Sequence, residues 1–145
     1  MTPYFEYRHI VGLDETNVVG NVYFAHFVRW QGHCRELFLR EHVPGLLAEI
    51  GDGLKIFTLG CSCEYVAEVF AFDEIAVRLR LAELTQTQVA FTFEYLKVND
   101  DLEYPVATGQ QRVLCMRADD GVLKPTRVPS AFREALGPFG VQASR

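Results

Sequence analysis

DETNVVGNVYFAHFVRWQGHCRELFL, residues 14–39, is the stretch that decides the fold. A short polar loop and a glycine lead into one long helical run. Phe27, Trp30, Cys34, Leu37, Phe38 and Glu41 fall at the three- and four-residue spacing of a single helical face. Five of these six are apolar and one is the only Trp of the chain, so this face is expected to be buried. Small residues, Ala25 and Gly32, interrupt the other faces. The helix is predicted to run from Val22 or Phe24 to Arg40, with Asn21 as N-cap, and to end before the breaker pair Pro44-Gly45. Leu46 to Gly53 is read as one further helical turn. Such a helix needs a cover.

The rest of the chain supplies strands. Tyr4 to Leu13 fits a first strand, bounded by Pro3 and Asp14. After the helix, Phe57, Leu59, Cys61, Cys63 and Tyr65 alternate with Thr58, Gly60, Ser62 and Glu64. Ile75, Val77, Leu79 and Leu81 alternate with Arg78 and Arg80, and Val89, Phe91, Phe93 and Tyr95 form a third face. The fourth run spans Tyr104 to Arg117, with Gly109 as the expected bulge. Asn99-Asp100-Asp101 and Asp119-Asp120-Gly121 suit tight reversals. Val128 to Leu136 is a short tail helix, with a frayed remainder expected. One strand, one helix and four strands on short turns predict an α+β domain over residues 1–145, its antiparallel sheet curled around the helix.

With 145 residues, 49% of them hydrophobic, the chain has material for one core. A net charge of −5 argues against nonspecific nucleic-acid binding, which needs a basic face. Arg78, Arg80, Arg112, Arg117, Lys124 and Arg127 are candidates for a local basic patch, though solvated strand faces account for them better. No apolar run is long enough to span a bilayer, and MTPYFEYRH lacks the order of a signal peptide. A cytoplasmic protein is expected, without membrane association. Cys34, Cys61, Cys63 and Cys115 are then free thiols, and no metal site is expected because no ligand spacing accompanies them.

The run Glu15-Thr16-Asn17, Val19 to Phe24, His26, Trp30-Gln31-Gly32, Cys34-Arg35-Glu36 and Phe38-Leu39 resembles the hotdog-fold thioesterases of the 4-hydroxybenzoyl-CoA type. It is closest to those of enediyne polyketide biosynthesis. The resemblance implies a hotdog fold, a five-stranded antiparallel sheet around one central helix, and sheets paired edge to edge in a dimer. A homotetramer, as a dimer of dimers, is the expected assembly. The better-known relatives carry a catalytic Asp three residues before the glycine; counting back from Gly20 places Asn17 there.

Asn17 cannot act as a base, but its amide can hold water through oxygen or a carbonyl through nitrogen. The ordinary alternative is an Asx turn. By resemblance, the backbone N–H of Phe24 holds the thioester carbonyl, suiting the unpaired donors and positive dipole end of a helix start. Tyr23, Gly20 and His26 lie beside it as substrate-binding candidates. Arg35 matches a substrate-contacting arginine of the enediyne group, against the alternative of a salt bridge with Glu36, Glu41 or a strand. Glu36 would restore general-base chemistry if it faced the substrate; Asp14 and Glu15 are more easily read as solvated. Cys34 sits on the buried stripe, which disfavours a nucleophile. No Gly-x-Ser-x-Gly elbow occurs. The resemblance implies hydrolysis of a polyene, β-keto acyl thioester on the acyl carrier domain of a polyketide synthase, with no cofactor. A general acyl-CoA thioesterase and a non-catalytic acyl-binding partner stay open.

Overall fold

The computed structural model describes residues 3–140. In chain order they form β1 (Phe5–Ile10), α1 (Ala25–His42), α2 (Pro44–Ile50), β2 (Leu54–Tyr65), β3 (Glu74–Leu84), β4 (Gln88–Asn99), β5 (Leu102–Asp119), β6 (Val122–Pro125) and α3 (Ser130–Leu136). The strands make one antiparallel sheet of order β1-β3-β4-β5-β2, and the short β6 adds to the end of β5. The fold is α+β, and the sheet curls over α1. Among the described residues no helix is long and apolar enough to cross a membrane.

α1 buries Phe27, Trp30, Cys34 and Phe38, as its spacing predicts, and adds Gln31 and Leu39; Glu41 is exposed. Facing them from the sheet are Ile75, Val77 and Leu79 of β3 and Val89, Phe91, Phe93 and Tyr95 of β4, all essentially without solvent contact. Asn21 is not the N-cap. Its backbone bridges to Phe70 and its Nδ2 donates to Glu68, so the chain stays extended there and α1 starts at Ala25. Pro44 does not merely end a helix: it opens α2 at the first position, where a missing N–H costs nothing.

Two strand irregularities fall elsewhere than the glycine pattern predicts. Gly109 pairs regularly with Phe93; the register of β5 against β4 shifts at Val106 instead. β2 shifts between Thr58 and Gly60. A one-residue bulge swaps faces, so Leu54, Ile56 and Thr58 share the face of Cys61, Cys63 and Tyr65, and Leu59 is the extra residue. The expected frayed tail is docked as far as Gly140: Phe139 packs its ring 5.3 Å from that of Phe38, and Gly140 bridges to Leu81. Residues 141–145 of that tail lie outside the described residues.

Candidate active site

Glu15 anchors the loop before α1. Far from being solvated, it is 6% exposed and accepts N–H bonds from Gly12 (2.9 Å), His9 Nε2 (2.8 Å) and Trp30 Nε1 (3.0 Å). Burial alone would raise its pKa, but these donors outweigh burial and the net shift is downward. Tyr7 Oη lies 3.0 Å from His9 Nδ1 and holds the ring from its other side. The Glu15 carbonyl in turn accepts the Tyr23 N–H at 3.0 Å, which fixes the entry to the helix.

Between those anchors the chain makes a tight loop. Asn17 donates its N–H to the Asn21 carbonyl and accepts the Gly20 N–H, both at 2.9 Å. Gly20 has φ +96°, a conformation that glycine adopts without strain. Asn17 Oδ1 accepts the Val19 N–H at 2.9 Å, an Asx turn. The turn and a substrate role are compatible, because the turn occupies only the oxygen. Nδ2 donates to nothing among the described residues.

At the helix start, neither the Phe24 nor the Ala25 N–H donates to a partner among the described residues. The Tyr23 and Phe24 rings stand out at 47% and 59% exposure, with His26 half-buried beside Tyr23. The carbonyls of the first turn are held from the sheet: Tyr65 Oη donates to Phe24 O at 2.9 Å and Tyr95 Oη to Phe27 O at 2.7 Å. Asn21, Phe24, Phe27, Tyr65 and Val69 line a cleft of about 200 Å³ at this end.

Arg35 faces β2 and β5. Its Nη1 donates to Gln111 Oε1 at 2.8 Å and to Thr58 Oγ1 at 3.3 Å. The salt bridges considered for it do not form; no carboxylate lies within ion-pair distance among the described residues. Nε is buried without a partner. Burial pushes the guanidinium pKa down, with Glu36 opposing, and an arginine side chain stays charged in proteins. Glu36 is exposed and hydrogen-bonded to nothing described, and Asp14 is exposed on its loop.

Phe24 and Arg35 are eleven residues apart on α1, roughly 16 Å at the helical rise. One chain therefore does not gather Asn17, Phe24 and Arg35 on one atom. Cys34 is fully buried, its thiol pKa pushed up by that burial, and is inert.

Three further residues at Arg35 were not foreseen. Thr58 reaches it only through the β2 bulge; the signal was Gly60 inside a strand pattern. Gln31 and Gln111 are buried amides, and neither spacing nor composition marks them. Five of the six cations considered for a basic patch are paired, Arg78 with Glu6 and Glu103, Arg80 with Glu94, Arg112 with Glu83, Arg117 with Glu49, and Lys124 with Asp119; Arg127 is exposed and forms no ion pair among the described residues.

The sequence profile of the thioesterase-like superfamily matches residues 11–136. No functionally curated protein matches the chain significantly. Among solved structures, the dynemicin thioesterase, crystallised in a study of polyene binding, is 45% identical, covers 97% of this chain and 100% of its own, and superposes with a TM-score of 0.93. The 1,4-dihydroxy-2-naphthoyl-CoA thioesterase of Synechocystis shares the fold at 18% identity, 92% and 96% coverage and a TM-score of 0.79. The 4-hydroxybenzoyl-CoA thioesterase of a Pseudomonas strain does so at 14% identity, 91% and 98% coverage and a TM-score of 0.75. On that match along most of its length, and on this likeness across two whole chains, the protein belongs to the thioesterase-like superfamily and is a thioester hydrolase of hotdog fold.

Proposed function

We propose that this enzyme releases a polyene, β-keto acyl chain from the thioester of a polyketide synthase's acyl carrier domain. The observation that carries the reading is Arg35, a charged guanidinium held only by neutral acceptors, with Nε and Nη2 unpartnered among the described residues. That unpartnered edge has the geometry of a bidentate fork for two neighbouring oxygens, and Nε, buried in the single chain, meets one only when its surroundings shift. A β-keto thioester presents such a pair, and the acid it yields presents another. The polyene is supported by the likeness to the dynemicin thioesterase.

Water attacks the thioester carbonyl, and the oxyanion that forms takes N–H donors from Phe24 and from Asn17 Nδ2. One such preorganised donor contributes on the order of 10²–10³ in rate. The C–S bond then breaks; the sulfur departs as thiolate and takes up the proton lost by the attacking water. Acid and thiol are the products, and no carboxylate base is required. The β-keto acid can lose carbon dioxide without further help from the protein.

The two ends of the site meet in a dimer. β2 is an open edge carrying exposed Phe57, Leu59 and Tyr65, and a second copy is the natural cover for such an edge. A two-fold axis through the middle of Thr58–Tyr65 sets the Thr58 end of one β2 against the Tyr65 end of the other. Arg35 then approaches the helix start of its partner.

Mass spectrometry of what the protein liberates from a polyene-loaded carrier domain tests the reading. A β-keto acid or its decarboxylated ketone is expected, at a rate well above that for decanoyl-CoA. Faster turnover of decanoyl-CoA would indicate a general acyl-CoA thioesterase, and binding without release an acyl-binding partner.

A further inference from the structure

Gln31 and Gln111 form a directional chain of amides that ends on Arg35. Gln31 is 0% and Gln111 6% exposed. Gln31 Nε2 donates to the Ser62 carbonyl at 2.8 Å, Gln111 Nε2 donates to Gln31 Oε1 at 3.4 Å, and Gln111 Oε1 accepts Arg35 Nη1 at 2.8 Å. The two ends cannot reverse: a backbone carbonyl only accepts and a guanidinium only donates. Each amide between them is therefore fixed head to tail. Gly109 makes room for this, since a Cβ there would overlap Gln31 Nε2.

Burying two amides is costly unless both are satisfied. A carboxylate at position 111 would hold Arg35 more tightly, but it would also neutralise it and compete with any substrate oxygen. We infer that Gln111, oriented by Gln31 and Ser62, is a positioning residue that fixes Arg35 by Nη1 and so leaves its charge unneutralised and its Nε–Nη2 edge unpaired for substrate. This rests on the proposed role of Arg35.

The test uses the full-length enzyme with two probes, the polyene-loaded carrier domain and decanoyl-CoA, at a temperature where circular dichroism shows every variant folded. Gln111→Glu and Gln111→Met are each expected to lower kcat at least about 10-fold on the better probe, with KM changed less than about 3-fold, because the lost interaction is made in the transition state. In an Arg35→Met background the same changes should have almost no further effect on kcat, since residues acting as one unit are not additive. Gly109→Ala, which displaces Gln31 from outside the site, should give a smaller loss of the same kind.

The outcomes separate the two ideas. Full activity in Arg35→Met would remove Arg35 from the site and this inference with it. Loss in Arg35→Met alongside wild-type kcat in both Gln111 variants would overturn the positioning role alone. So would losses that simply multiply in the double variants, because Gln111 would then be acting independently of Arg35.

Discussion

Trp30 donates its indole N–H to the Glu15 carboxylate at 3.0 Å, which ties the middle of α1 to the loop that precedes it. Removing Glu15 leaves the Trp30 and Gly12 donors without an acceptor. At roughly 1–3 kcal/mol for each buried orphan, Glu15→Ala should lower stability by about 3 kcal/mol, measured by urea unfolding. The net shift of the Glu15 pKa is downward, so its contribution is complete above the ordinary carboxylate range and is lost as pH falls through the depressed folded value. The stability gap between wild type and Glu15→Gln should therefore narrow from pH 6 to pH 3. A constant gap would show that the carboxylate charge is not what the site uses.

Asn17 offers a sharper separation, because its two side-chain atoms have different duties. Asn17→Asp keeps the acceptor for the Val19 N–H and discards the Nδ2 donor. The melting temperature should be nearly unchanged while kcat/KM falls by roughly 10- to 1,000-fold. Activity at wild-type level with a new acidic limb in the pH–rate profile would mean that the site accepts a base after all.

Arg35→Met should keep only a small but measurable residual activity and should melt close to wild type. A partly buried charge without a counter-ion opposes folding, and its removal offsets the roughly 1–3 kcal/mol cost of leaving Gln111 Oε1 without a donor. Arg35→Lys should lose less activity, since it retains charge but not the fork. Early melting of Arg35→Met with normal turnover in the folded fraction would reassign Arg35 to structure.

Glu36 is exposed on α1 without a hydrogen-bonding partner among the described residues. Glu36→Gln should leave both limbs of the pH–rate profile where they are. Loss of the acidic limb would make Glu36 the general base.

Sedimentation at micromolar concentration should find no folded 16.5 kDa monomer. Phe57→Glu with Leu59→Glu places two like charges on the exposed edge of β2 and should yield a monomer with little activity. An active monomer would remove both the edge pairing and any approach of Arg35 to a partner's helix.

The sequence displayed its large periodic features and concealed the short-range ones. The apolar stripe of α1 and the alternation of β3 and β4 persist over several turns or pairs, so single exceptions do not mask them. Thr58 was assigned to the wrong face because one extra residue, Leu59, reverses the phase of β2. Asn21 was taken for a cap because local propensity cannot show that Glu68, far along the chain, claims its amide. Glu15 looked solvated for the same reason: its donors come from β1 and α1 as well as its own loop. Asn17, Phe24 and Arg35 were named through family likeness, which also takes in Gln31 without giving it a role, whereas Gln111 has no local signature at all.

The docking of Phe139 and Gly140 bears on how the chain matures. Val128, Phe132 and Leu136 are sealed from solvent, Phe139 packs on Phe38, and Gly140 sits against Leu81. The first half of the molecule thus lacks part of its lid until the last described residues have left the ribosome. Domains this size fold as units during or after synthesis, and here the core cannot close until α3 and Phe139 are free to dock. A truncation at residue 130 would release an open sheet with α1 uncovered at one end, a substrate for chaperones rather than a smaller enzyme.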